Sequence, residues 1–316
     1  MLLPILATLI PTLFYTLLLW WLDRYEKEPL PLLLAAFLWG SIPAVALAIF
    51  FSHLLGGTQG PIVVAPLIEE PFKAAALLML FLFFRREFDG VLDGIIYGAL
   101  VGFGFAMTEN ALYFLHSNGS LSLLIWLRIV LLGLGHAFFT SIVGVAFGLM
   151  RYERRWWMAL LLLLCGLGLS IFFHGLSNQA VSHRLIGWLV AWAIQSGGAV
   201  VVLLVALLAW RHERSWLCRE LVEEIERGLI TPQEYRTVCS STLRVRAQLH
   251  ALLHGGWAAF LRERQLHHLL TELALLKYQL RIGDRFFSPD DLADLREQVR
   301  RIGRTAVSGS GFRVSS

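Results

Sequence analysis

Apolar residues run in seven long blocks through the first 210 positions, at roughly 2–22, 31–54, 61–84, 91–115, 129–149, 156–179 and 185–210. At about 1.5 Å per residue, each block makes a helix able to cross a bilayer core of about 30 Å. After residue 210 the pattern changes, and apolar and charged positions alternate at helical spacing over Ser215–Arg227. Gly228-Leu229-Ile230-Thr231-Pro232 reads as a helix stop followed by a new N-cap. Helical segments are expected over 232–282, as a hairpin packed on itself or on the bilayer surface. Ser288 is expected to cap a last short helix. Residues 305–316 are small and polar and are expected to be disordered. The fold class is therefore all-α. It is a polytopic bundle of about seven transmembrane helices (1–210), a cytoplasmic helical tail (211–304) and a short disordered end (305–316).

Composition agrees with a membrane location. Hydrophobic residues make up 57% of the chain and charged residues 16%, too little polar surface for a soluble domain of 316 residues. The net charge of +4 is unevenly placed: residues 1–210 balance, and the tail holds the whole excess. Basic residues also alternate between connections. Arg24 and Lys27, Arg85 and Arg86, then Arg151, Arg154 and Arg155 mark one side, while Leu55–Gly60 and Ser117–Ser122 carry none. By the positive-inside rule the N-terminus is outside and the C-terminus cytoplasmic, in a plasma membrane. Trp20, Trp21, Trp126, Trp156, Trp157, Trp188 and Trp210 lie near span ends, as interfacial anchors do. The first block lacks a basic n-region and reads as a retained helix. Cys165, Cys218 and Cys239 have no metal-ligand spacing, and no disulfide framework is expected.

Four blocks carry polar groups that cost free energy at bilayer depth: Glu69, Glu70 and Lys73, then Glu109-Asn110, His136, and His174. Counted along their spans, all fall roughly 8–14 Å below the outer surface. Four helices of alternating direction thus place titratable groups in one layer, which points to a shared site. Glu69 or Glu70 can act as general base toward water. Lys73 follows them by four and three residues and can approach either carboxylate, which gives it a charge-neutralising role. Pro66 and Pro71 are placed to bend this helix. His136 and His174 can orient water, bind a metal or donate to an oxyanion, and Asn178 shares a face with His174. There is no His-Glu-x-x-His motif; a zinc site of His136, His174 and Glu70 and a metal-free glutamate mechanism are equally consistent with the residues. Gly90, Gly94, Gly98 and Gly102, followed by Ala106, form a stripe for close helix packing. Asp89 and Asp93, at the other end of that span, read as capping or interface residues.

In order along the chain, Asp23-Arg24-Tyr25-Glu26 with Glu28-Pro29, Glu69-Glu70-Pro71-Phe72-Lys73, Asp93-Gly94 through Gly104-Phe105-Ala106, and Glu109-Asn110 resemble the PrsW family of intramembrane proteases. His136 and His174 fall where that family's later histidines would. The family is similar in turn to the CAAX-prenyl and bacteriocin-processing membrane proteases, whose His-x-x-x-Asn pair is matched by His174 and Asn178. That group's histidine motif on the second active-site helix is not matched, because Glu109-Asn110 occupies the helix. The resemblance implies a membrane-embedded endopeptidase acting on a membrane-anchored protein, with anti-sigma factors among the family's substrates. It implies Glu69 as base assisted by Glu70, a water- or metal-binding role for His136, oxyanion stabilisation by His174 and Asn178, and a metalloprotease label, for which zinc is the candidate metal. The expected partners are the lipid bilayer and a membrane protein substrate, with no nucleic acid.

Two other functions are compatible with the residues. Buried Glu, Lys and His also build the relays of proton- or ion-coupled transporters, although no inverted repeat is evident. The wider superfamily resemblance also includes a non-catalytic multipass scaffold subunit of gamma-secretase.

Overall fold

The computed structural model describes Leu17 and residues 28–54, 62–116, 132–283 and 288–309. The first apolar block, the Asp23–Glu26 motif, the connections at 55–60 and 117–122, and residues 310–316 of the C-terminal end lie outside the described residues. Among the described residues the chain is helical and has no strand. Its helices are α1 (Leu30–Leu54), α2 (Val64–Phe83), α3 (Val91–His116), α4 (Gly135–Met150), α5 (Trp156–Val181), α6 (Arg184–Glu226), α7 (Pro232–Val238), α8 (Ser241–Ile282) and α9 (Pro289–Gly309).

Four of them, α1, α3, α5 and α6, are long and apolar enough to cross a membrane. Helix α2 has the length, at 20 residues, but carries Glu69, Glu70 and Lys73. Helix α4 is apolar, with 16 residues. The chain forms two compact units, one covering residues up to Ala209 and one built mainly from Trp210 onward.

In the first unit α3 is the central helix and packs on α1, α2 and α4. Its glycine stripe does what its spacing predicts. A Cβ on Gly94 would run into the carbonyl oxygen of Gly144, and one on Gly144 would run into that of Gly94. Gly98 meets Thr140 and Ser141, and Gly102 meets the backbone of His136 and Ala137. The stripe therefore holds α3 and α4 at backbone contact, and its last glycine abuts a candidate site residue. Asp93 caps the start of α3 by accepting from the amides of Asp89 and Gly90 at 2.9 and 2.7 Å. On the opposite side α1 widens into a π turn at Gly40–Ala44 around Pro43, which has no amide to donate. That turn brings Gly40 against the carbonyl of Val101, while Gly104 meets the carbonyl of Phe37. Helix α5 closes the bundle on α2 and α4.

The second unit has its own core of Trp216, Leu217, Leu221, Val238, Leu270, Leu273, Leu295 and Val299 with their neighbours. Gly228 adopts φ 65°, and Thr231 with Glu234 forms a capping box, as the stop-and-start pattern predicts. Ser288 caps α9 through the Asp291 amide. Helix α9 continues to Gly309. Glu224, fully buried, accepts from Lys277 at 2.8 Å and from Arg296 at 2.6 and 3.0 Å. One expectation is corrected: Cys218 and Cys239 form a disulfide across 21 residues, and Cys165 is free. The Gly228 turn and the α7 capping box fold Cys239 back toward α6, a tertiary proximity that spacing alone does not carry.

Candidate active site

The sequence Glu-Glu-Pro-Phe-Lys places three charges on little more than one helical turn of α2, and the neighbouring helices decide which of them meets solvent. Lys73 is fully buried, and its Nζ donates to Glu70 Oε1 at 2.6 Å and to Glu69 Oε2 at 3.4 Å. It also lies 4.0 Å from the centre of the Phe105 ring. Glu70 is fully buried too. Its Oε1 accepts a second bond from His174 Nδ1 at 2.8 Å, and its Oε2 accepts from Ser170 Oγ at 2.8 Å. Three donors therefore hold Glu70 in place. Glu69 keeps 14% of its side chain exposed, and its Oε2 lies 3.9 Å from His174 Nε2.

The two histidines come from α4 and α5, with ring centres 5.0 Å apart and planes nearly perpendicular. An ammonium can only donate, so His136 Nδ1, 3.0 Å from Lys73 Nζ, is an acceptor. His136 Nε2 is then the N–H that donates to Glu109 Oε2 at 2.8 Å. His174 has the opposite arrangement: Nδ1 donates to Glu70, and Nε2 is turned toward Glu69. Phe139 stacks on the His174 ring at 4.9 Å, which fixes its plane. The layer inferred from residue depth is thus one connected network over α2, α3, α4 and α5.

A cavity of about 290 Å³ opens on this network. Glu69, Glu109, Asn110, His136, His174 and Asn178 all line it, whereas Glu70 and Lys73 do not. The eight residues singled out from sequence therefore divide into six that face the cavity and two behind its wall.

Three further polar residues join them. Ser170 lies one turn before His174 and supports Glu70. Ser177 and Gln195 line the cavity, and Gln195 Nε2 donates to Ser177 Oγ at 2.5 Å. Gln195 Oε1 is buried with no hydrogen-bond partner among the described residues, in space that exists because Gly135 has no Cβ. Such an acceptor can take a peptide N–H, which has no water to bond to inside a bilayer. A signal for Gln195 was present, because it is a strongly polar residue in an otherwise apolar block.

The ligand atoms of Glu69, Glu70, His136 and His174 lie within 4.8 Å of one another. Two imidazoles with carboxylates form a donor set that suits zinc, and the cavity leaves room for the open position a catalytic zinc needs. The residues fit the metal, with His136 offering Nδ1, the lone-pair nitrogen that accepts from Lys73 here. The outward His174 Nε2, backed by the Nδ1–Glu70 bond, has the orientation of a metal-ligating histidine held by a carboxylate. Glu70 is less available than expected, since both its oxygens already accept, and Glu69 is the carboxylate open to the cavity.

A helical membrane bundle with glutamates and histidines converging on one cavity is an arrangement that an intramembrane protease can use. The chain belongs to the PrsW family: the model described as "PrsW family intramembrane metalloprotease" matches residues 28–211. It is 34% identical over 165 residues to Protease PrsW of Geobacillus kaustophilus (strain HTA426), covering 48% of this chain and 68% of the relative. It is 30% identical over 141 residues to Protease PrsW of Clostridioides difficile (strain 630), covering 42% and 59%. The Bacillus subtilis (strain 168) Protease PrsW is 29% identical over 178 residues, covering 53% and 77%. No solved structure matches. The family match ends near the start of the second unit, so residues 212–316 lie beyond it.

Proposed function

We propose that this protease cleaves a peptide bond in a membrane-anchored protein, with Glu69 as the base that activates water. The observation that supports this reading most is the division within the Glu69–Glu70 pair. Glu69 opens onto the cavity, whereas Glu70 is saturated by Lys73, His174 and Ser170. A base must reach the water it deprotonates, and a carboxylate with three donors cannot leave them cheaply.

The remaining roles follow from this division. Lys73 keeps two adjacent carboxylates tolerable in a buried helix. Glu70 orients His174, so that His174 presents Nε2 to the reacting atoms. Glu109 fixes the His136 ring from the cavity side. It takes the place of the histidine motif that the wider protease group carries on this helix. Asn178, one turn after His174 on the cavity wall, and Asn110 are amide donors for the oxyanion of the tetrahedral intermediate. Zinc would be held by His136 and His174, with Glu70 behind His174 and Glu69 kept for water, and when bound it would lower the pKa of water at the site.

The alternation of basic connections supports seven spans, with the N-terminus outside, the C-terminus cytoplasmic and the site in the outer half of the bilayer. Substrate then enters from the extracytoplasmic side, and an anti-sigma-factor-like regulator with one membrane anchor suits that geometry. Comparing membrane-fraction proteomes of cells making the wild type or Glu69→Gln tests the reading. Products that depend on Glu69 identify the substrate, and identical product sets reject the assignment.

A further inference from the structure

The first half of α8 in the second unit is exposed around most of its circumference, and its exposed residues are ordered. Val245, Leu249, Leu253 and Trp257 recur every fourth position with 55%, 50%, 78% and 64% of their surface open, and Leu261 continues the series at 44%. Their rotation is fixed by their neighbours. Arg244 is buried and donates to the Val238 carbonyl at 2.7 Å and to Thr271 Oγ1 at 2.8 Å. One turn later, Gln248 bonds His267 Nδ1 at 3.2 Å. These anchors tie one face of the helix to the unit, and Val245 and Leu249, each one residue and about 100° further round, lie on the solvent-open flank beside that face.

The charge beside this stripe has one sign. From Ser241 to Arg262 there is no aspartate or glutamate, while Arg246, His250, His254 and Arg262 are all exposed. On a helical projection Arg246, His250 and His254 run along one edge of the stripe. The helix then breaks at Gly256, which has φ 73°. This break places Trp257 at the start of a second segment. An exposed apolar stripe bordered by arginine and histidine, free of acidic residues and followed by an aromatic residue, is the pattern of a helix lying in the membrane interface. A water-facing helix has no use for the stripe, and an apolar protein partner has no use for the one-signed edge.

We propose that residues 241–262, two helical segments joined at Gly256, form an interfacial element that docks on anionic lipid of the membrane the chain itself spans. The stripe of Val245, Leu249 and Leu253, followed by Trp257 at the start of the next segment, enters the boundary between headgroups and acyl chains, to a depth of about 5–10 Å. Arg246 and Arg262 stay at the phosphates. The docking does not depend on the protease chemistry and is tested without a substrate.

The full-length protein is reconstituted at one copy per nanodisc, with a fluorescent non-natural residue placed singly at Leu249, Leu253 or the exposed Gln233 of α7. Phosphatidylglycerol brominated high on its acyl chains is expected to quench the probe at Leu249 and Leu253, and aqueous iodide is expected to quench only Gln233. Arg246→Gln and Arg262→Gln should each shift the docked-to-free ratio roughly fivefold toward free. Iodide access at Leu249 and Leu253 equal to that at Gln233 overturns the proposal, because the stripe then faces water. Protection from both quenchers also overturns it, because protein then covers the stripe. Quenching of the same strength in purely zwitterionic discs removes the anionic-lipid assignment.

Discussion

His174 Nδ1 donates to Glu70 Oε1 across 2.8 Å, joining a residue of α5 to one of α2 that lies 104 positions earlier. That bond separates the duties of two adjacent glutamates. Glu70 faces α5 and is used to hold a histidine, and Glu69, one residue away, is left on the cavity wall. The same bond fixes which imidazole nitrogen is presented to Glu69. Two neighbouring carboxylates that look interchangeable in sequence are therefore expected to fail differently when altered.

Glu70→Gln and Lys73→Met should lower stability as well as activity. Each removes the nearest charged partner of a buried charge, which costs about 3–5 kcal/mol. Thermal unfolding of purified protein in detergent should show a clear fall for both variants and little change for Glu69→Gln. A Lys73→Met variant as stable as the wild type would show that the ammonium does not neutralise the pair.

Gly144→Ala should separate α3 from α4, because the new Cβ meets the carbonyl oxygen of Gly94. The expected cost is about 1–3 kcal/mol, with loss of activity as His136 shifts away from Glu109. Gly168 on α5 has no atom of the described residues within 4 Å of the equivalent Cβ, so Gly168→Ala should be neutral or stabilising by up to ~1 kcal/mol. Equal unfolding temperatures for the two variants would contradict backbone contact along the stripe.

Much of this arrangement was legible in the chain. Apolar block length and the depth of Glu69, Glu109, His136 and His174 pointed to a common layer, because helix rise converts residue count into depth. The glycines at every fourth position announced a close helix contact, because only backbone can fill the space they leave. What remained hidden depended on rotation about helix axes. Nothing in Glu69-Glu70 states which carboxylate faces α5. Ser170 and Ser177 are common residues in membrane helices and acquire meaning only from the groups they face. The Cys218–Cys239 pairing depends on the turn at Gly228 and the short α7, so neither cysteine carries it in its local sequence.

Zinc content provides a separate prediction. Purified protein should hold about one equivalent, and His136→Ala or His174→Ala should abolish it together with activity. Elemental analysis near zero, with full activity after exhaustive chelation, would instead leave Glu69 acting on water without a metal.

The orientation is checked with single cysteines at Gly57, Ser120 and Arg155 in a background lacking the native cysteines. An impermeant thiol reagent on intact cells should label Gly57 and Ser120 and spare Arg155 if the basic connections lie inside, as proposed. The reverse pattern would place the site in the cytoplasmic half and make an inward-facing enzyme.

The central claim is that a Glu69-dependent cavity hydrolyses membrane protein substrates. Its most direct measurement is product formation in membranes holding equal amounts of wild type and Glu69→Gln, read by mass spectrometry of newly formed protein termini. The account predicts at least one membrane-anchored protein cut with the wild type and left intact with Glu69→Gln, while the two enzymes unfold at the same temperature. The same termini, formed at the same rate with both, would contradict it.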